Sequence, residues 1–348
     1  MDADLLAAAG VAFLSSLLLA EWFRRWAVRR DLFDHPNTRS SHTRPIPRGG
    51  GVGIVLGFVL GLGLWLASGA SLSPRALGWL MGALVVAAVS FADDIRSLPS
   101  SVRFATHLLA AALLTIAGVQ DAGAGLLLTI PLSFLWIVLV TNAYNFMDGI
   151  DGIAASQAVT LGIGCALAGT AVGNPLVSAA GSLLAAASAG FLLHNLPPSR
   201  LFMGDVGSTF LGFSFAALPL LGSLGVGGGK LPFEFGVAAL APFLFDVVVT
   251  LARRIVRRER WFEAHRSHYY QRLVQAGLTH GQVSLLYTVL GIVAAATALV
   301  SIGLADPVRQ LVAAMAYLPM LGVVALVWRM EHGTRLPVHP RQTTLSLD

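Results

Sequence analysis

The stretch GLLLTIPLSFLWIVLVTNAYNFMDGIDGIAASQAVTLGIGCALAGTA, residues 125–171, decides how the chain is read. Its apolar runs, 125–141 and 153–171, are each long enough to cross a hydrocarbon core of roughly 30 Å as a helix. Between them NAYNFMDGIDG, residues 142–152, holds two asparagines, two aspartates and no basic residue. Span, polar turn, span is the repeating unit, and a lipid bilayer is the solvent it implies.

Outward from this unit, comparable apolar runs lie at 4–22, 50–69, 76–92, 104–119, 176–193, 208–224, 236–252, 282–303 and 309–328. The expected fold is an all-α integral membrane protein of about eleven transmembrane helices. A single polytopic domain covers 1–330, followed by a polar tail, 331–348. Composition agrees, with 55% hydrophobic and only 12% charged residues, about half the charge usual in soluble domains.

Orientation follows from charge. Asp2 and Asp4 precede the first run and Arg24, Arg25, Arg29 and Arg30 follow it, the reverse of a cleavable signal peptide. The N-terminus is therefore expected on the periplasmic side and the C-terminus in the cytoplasm. With alternating spans, all but three of the 23 Lys and Arg fall on inner segments, the exceptions being Arg75, Lys230 and Arg309. That segregation is what the positive-inside rule requires. It also accounts for the net charge of +5 without a nucleic-acid partner. The single cysteine, Cys165, lies inside a run, which leaves no disulfide framework or thiol metal site.

Polar groups are costly in hydrocarbon, so their placement is informative. They collect in five inner segments, 34–51, 91–103, 142–152, 195–208 and 253–281. The first, DHPNTRSSHTRPIPRGGG, interleaves Arg39, His42, Arg44 and Arg48 with prolines and ends in three glycines. Arginines give bidentate donors to phosphate and glycines let backbone N–H groups approach it, though a plain positive-inside loop has the same composition. The second holds Asp93 and Asp94, pointing about 100° apart on a helix end, with Arg96 and Arg103 beyond. In the third, Asn142, Asn145, Asp148 and Asp151 are spaced by three, which on a helix is one face. Uncompensated carboxylates at a membrane edge imply an external cation, and all-oxygen ligands suit Mg²⁺ or Mn²⁺. In the fourth, Asp205 sits between glycines just before a span, where it reads as an N-cap or a further metal ligand. The fifth is basic and carries His265 and His268 about one turn apart, arranged to lie on anionic lipid or to meet a diphosphate.

Acids with a cation, facing arginines and glycines at the edge of a lipid-solvated scaffold, suit phosphoryl transfer from a soluble donor to a lipid acceptor. The rival reading is an ion-coupled secondary transporter using Asp246, His107 and Gln157 inside the runs. A transporter places its polar groups near the midplane, whereas here they crowd one edge.

Taken in order, DHPNTRSSHTRPIPRGGG, FADD (91–94), NAYNFMDGIDG, FMGDVGS (202–208) and HRSHYYQRL (265–273) resemble the inner-loop motifs of the polyprenyl-phosphate N-acetylhexosamine-1-phosphate transferases. This superfamily includes MraY-type and WecA-type enzymes, and the resemblance runs from about Asp31 to Leu273. It implies attack of undecaprenyl phosphate on the β-phosphorus of a UDP-N-acetylhexosamine, releasing UMP, at the cytoplasmic face of the bacterial inner membrane. It further implies that Asp205, Asp93 and Asp94 hold Mg²⁺ and the lipid phosphate, with Asp93, Asp94, Asp148 and Asp151 catalytic. Arg39, His42, Arg48, Arg103, Asn142, Asn145, His265 and His268 would then bind substrate. The third position of the histidine motif is Ser267, and the RSSH wording is closest to the WbpL-like branch that initiates O-antigen synthesis. A homodimer is compatible with the sequence.

Overall fold

A computed structural model of the chain describes residues 2–36, 44–118, 126–260 and 265–333. In chain order the helices are α1 (Ala3–Arg29), α2 (Gly51–Ala67), α3 (Pro74–Arg96), α4 (Ser100–Gly118), α5 (Leu126–Met147), α6 (Ile153–Ala171) and α7 (Pro175–Asn195). They continue with α8 (Gly204–Ser223), α9 (Glu234–Ala239), α10 (Ala241–Val256), α11 (Tyr269–Gln275), α12 (His280–Ile302), α13 (Val308–Met315) and α14 (Leu318–Gly333). The protein is an all-α integral membrane protein, with eight helical stretches long and apolar enough to cross a bilayer. Two further apolar helices, α2 and α4, are shorter. The run expected at 236–252 is broken between Ala239 and Ala241, with Pro242 in the first turn of α10, where a missing N–H costs no intrahelical bond.

One departure from pure helix lies in the first polar segment, where β1 (Phe33–Asp34) and β2 (Ile46–Pro47) pair antiparallel. This small ladder steers the chain from α1 back to α2. The expected polar tail also starts later than 331, because α14 continues through Gly333 and Glu331 forms a bidentate ion pair with Arg272 of α11, 2.8 Å at Nε.

Small residues set the closest packing. A Cβ on Gly162 of α6 would come within 2.7 Å of the Gly181 carbonyl of α7, and one on Gly181 within 2.6 Å of the Ala166 nitrogen. In lipid, where burying apolar surface gains little, such backbone contact is what drives helix association. Elsewhere Trp136 Nε1 donates to the Ala216 carbonyl at 2.9 Å, tying α5 to α8. Thr209 Oγ1 bonds Ser90 Oγ at 2.9 Å and ties α8 to α3. These links hold α3 and α5 against α8.

Candidate active site

The site begins with the start of α8. A helix N-terminus leaves backbone N–H groups without intrahelical partners, and here α3 supplies the acceptor. Asp94 Oδ1 takes the Asp205 N–H at 3.0 Å, and Asp94 Oδ2 takes the Val206 N–H at 3.0 Å. Gly204 makes this approach feasible: its φ is +74°, and a Cβ there would sit 2.6 Å from Asp94 Oδ2. Gly50 and Gly51 bring the first polar segment to the same place, donating to the carbonyls of Phe202 at 2.9 Å and Met203 at 2.8 Å. Arg48 adds positive charge beside Asp94.

Asp205, fixed in the first turn of α8, is the centre of the cluster. Arg103 Nη1 lies 2.7 Å from Asp205 Oδ2 and 3.1 Å from Asp93 Oδ2, so one guanidinium bridges carboxylates from α3 and α8. Asn145 of α5 donates to Asp205 Oδ1 and to Ser208 Oγ, each at 2.9 Å. The Leu98 N–H donates to Asp93 Oδ1. Residues from four helices thus meet on one side chain, although they are far apart along the chain.

The expectation that Asn142, Asn145, Asp148 and Asp151 share a helical face is corrected. Helix α5 ends at Met147, and Gly149 and Gly152, the latter at φ +79°, turn the chain into α6. Asn142 bends its amide back to the Val138 carbonyl at 2.7 Å. Asp151 is drawn away from the cluster: it accepts the Ser199 N–H at 3.2 Å and lies 3.4 Å from His280 Nδ1. Burial would raise its carboxyl, but those two partners outweigh burial and leave it below the ordinary range. Asp148 differs in kind. Burial pushes it well above the carboxylate range, and the charges of Asp205, Asp94 and Asp151 push it further.

The histidine segment packs next to Asp148. Tyr270 Oη donates to the Phe146 carbonyl at 2.9 Å, and the His268 ring lies 6.1 Å from that of Phe146. The His265 and His268 rings are 4.8 Å apart, and Ser267 Oγ is 3.0 Å from His265 Nδ1. Burial, with His268, Arg254 and Arg253 nearby, holds His265 down at about 4. Arg39 and His42 lie outside the described residues.

A divalent ion can be tested against this geometry. Among the described residues no three His, Cys, Asp or Glu side chains form a ready cage. The oxygens of Asp93 and Asp205 are nonetheless hard donors, and Arg103 shows that the two together draw a cation. Such a set fits Mg²⁺, which is commonly held by one or two carboxylates and completed by water and substrate phosphate. Asp94, expected among the ligands, directs both oxygens at the α8 amides, because the helix start needs an acceptor there.

Sequence reading missed Ser208, three residues beyond Asp205 in a motif already singled out, and Ser199, which carried no signal. It also missed what holds the histidine segment. Asp246 of α10 accepts the N–H groups of Tyr269 and Tyr270 at 2.8 and 3.0 Å.

Fold and site together define a polytopic membrane protein with an acid, amide and arginine site at one end of its helices. Residues 76–223 match the model for glycosyl transferase family 4. A probable undecaprenyl-phosphate N-acetylglucosaminyl 1-phosphate transferase of Bacillus subtilis is 31% identical over 303 residues, 83% of each chain. A decaprenyl-phosphate N-acetylglucosaminephosphotransferase of Mycobacterium tuberculosis is 31% identical over 315 residues, 78% of this chain and 76% of the relative. A phospho-N-acetylmuramoyl-pentapeptide-transferase of Heliobacterium modesticaldum is 43% identical over a shorter stretch of 101 residues, 29% of this chain and 30% of the relative. The chain belongs to the polyprenyl-phosphate N-acetylhexosamine-1-phosphate transferase superfamily.

Proposed function

We propose that the protein transfers an N-acetylhexosamine-1-phosphate from a UDP-sugar to undecaprenyl phosphate, yielding the lipid diphosphate sugar and UMP. The observation that carries this reading is the meeting of Asp93, Arg103, Asn145 and Asp205 on one spot at the bilayer edge. A soluble diphosphate and a lipid phosphate can both reach such a place. Catalysis of phosphoryl transfer is chiefly positioning and charge stabilisation, and the cluster offers both.

In this reading Asp205 and Asp93 hold Mg²⁺, or Mn²⁺, with Asp94 fixing the α8 start behind them and Asp148 close by. The bound ion would neutralise charge developing on the leaving UMP. Arg103, released from its carboxylate bridge, is placed to meet a phosphate bidentately. Arg48, Arg39 and His42 would add donors from the first segment. A lipid phosphate is already ionised at neutral pH, so direct displacement needs no strong base. Rapid-quench analysis with β-labelled UDP-sugar and no lipid checks this step: UMP release stoichiometric with enzyme would establish a covalent aspartyl route instead.

The wider setting is also part of the proposal. Eleven alternating spans with a periplasmic N-terminus place the site on the cytoplasmic face of the bacterial inner membrane, where UDP-sugars are. Charge segregation supports this, as does the gathering of successive helix ends around the site. The RSSH wording supports an initiating role in O-antigen or related envelope glycan synthesis. Incubating membranes with a panel of UDP-sugars and undecaprenyl phosphate and weighing the lipid product tests the reaction and identifies the sugar. Substrate-driven flux in proteoliposomes without UMP production would overturn it. Of the polar groups favouring that transporter alternative, Asp246 is engaged by the histidine segment, and Gln157 lies against Gly291.

A further inference from the structure

Asp246 is a carboxylate inside an apolar helix, fully buried, and outside the acid cluster. Burying a charge is costly unless donors surround it, and here they do. Besides the Tyr269 and Tyr270 N–H groups, Tyr287 Oη of α12 donates to Asp246 Oδ2 and Thr250 Oγ1 to Oδ1 at 3.3 Å. His268 Nδ1 lies 3.2 Å from Oδ1. Three of these five groups belong to consecutive residues, His268, Tyr269 and Tyr270. Those same residues touch the site, since Tyr270 Oη reaches the Phe146 carbonyl and a Cβ on Gly149 would collide with that hydroxyl. Arg253 of the same helix holds the Ser267 carbonyl at 2.8 Å.

We propose that Asp246 is a positioning residue for the nucleotide-sugar substrate: from within α10 it pins the His265–Tyr270 segment against the end of α5, and so fixes where His265 and His268 stand relative to Asp148. The inference rests on the transferase reading for its substrate, while the anchor itself is a matter of geometry. A carboxylate is required because two backbone N–H groups and a phenol all need acceptors. Asparagine has a single acceptor oxygen and would turn its own N–H groups toward some of those donors.

The test is steady-state kinetics on purified full-length protein with UDP-N-acetylglucosamine and undecaprenyl phosphate, joined to hydrogen exchange over 265–275. Asp246→Asn should raise KM for the UDP-sugar about tenfold while leaving KM for the lipid within about twofold, and exchange should quicken across 265–275. Tyr287→Phe, which removes one donor, should give the same pattern at about threefold; it decides the matter if Asp246→Asn does not fold. Equal rises in both KM values, or unchanged exchange with only kcat lowered, overturn the anchor. Faster exchange in the variant of a wild type that makes no UMP from any UDP-sugar keeps the anchor and removes the transferase reading.

Discussion

In the acid cluster the residues that meet are the motif residues themselves: Asp93 and Asp94 from α3, Arg103 from α4, Asn145 from α5 and Asp205 from α8 bond directly to one another or to the adjoining backbone. In the histidine segment the motif residues are carried by groups outside any motif. Asp246 and Tyr287 hold them from within apolar helices, and Arg253 from a helix end. The first region concentrates charge where the ends of four helices meet. The second delivers two imidazoles to its rim on a short segment whose rigidity is borrowed from buried carboxylate bonds. Chemistry should therefore fail abruptly when the first is altered, whereas substrate affinity should slide when the second is.

The sharpest way to break this contrast is Asp205→Asn. The side chain keeps its shape but loses the charge shared by Arg103 and the expected ion, so turnover should fall by about a thousandfold or more. The protein should remain folded in detergent, and normal turnover would remove Asp205 from the reaction. Arg103→Gln comes next, with an expected loss of about a hundredfold, because it leaves the Asp93 and Asp205 charges facing each other. Lysine at 103 should restore only part of it, since a point charge cannot meet a phosphate bidentately as a planar fork does. Recovery to wild-type kcat in Arg103→Lys would show that the fork is dispensable.

A smaller effect sharpens the other side. The neutral His265 ring is favoured in the fold, with its titration held at about 4 against 6.5 for an ordinary histidine. Between those values the unfolded chain binds more protons than the folded protein. Stability is thus fully present above pH 6.5 and is lost as pH falls through this window. Melting temperature should decline less steeply from pH 6.5 to 4 in His265→Gln than in the wild type, and parallel curves would place His265 in water instead.

Much of the architecture was legible because hydrocarbon leaves few options. A run such as 153–171 has no other economical conformation, and α6 spans Ile153–Ala171. What misled was the period of three in NAYNFMDGIDG. It is a helical spacing, but Gly149 and Gly152 end the helix before Asp148 and Asp151 can share its face. Asp94 was legible as a candidate, but its bonds to the α8 amides were not, because a helix start asking for an acceptor is visible only once α3 and α8 are side by side. Asp246 shows the deeper limit. Its partners are backbone N–H groups and a phenol 41 residues away, and no spacing in the sequence records such a meeting.

The proposed reaction requires a shared cation at Asp93 and Asp205, and electron paramagnetic resonance of Mn²⁺ added to the purified protein with UDP-N-acetylglucosamine tests for it most directly. One tightly bound ion per chain, displaced by Mg²⁺ and lost in Asp205→Asn, is the expected result. Equal Mn²⁺ binding by wild type and variant, or none by either alongside undiminished turnover in EDTA, would contradict it.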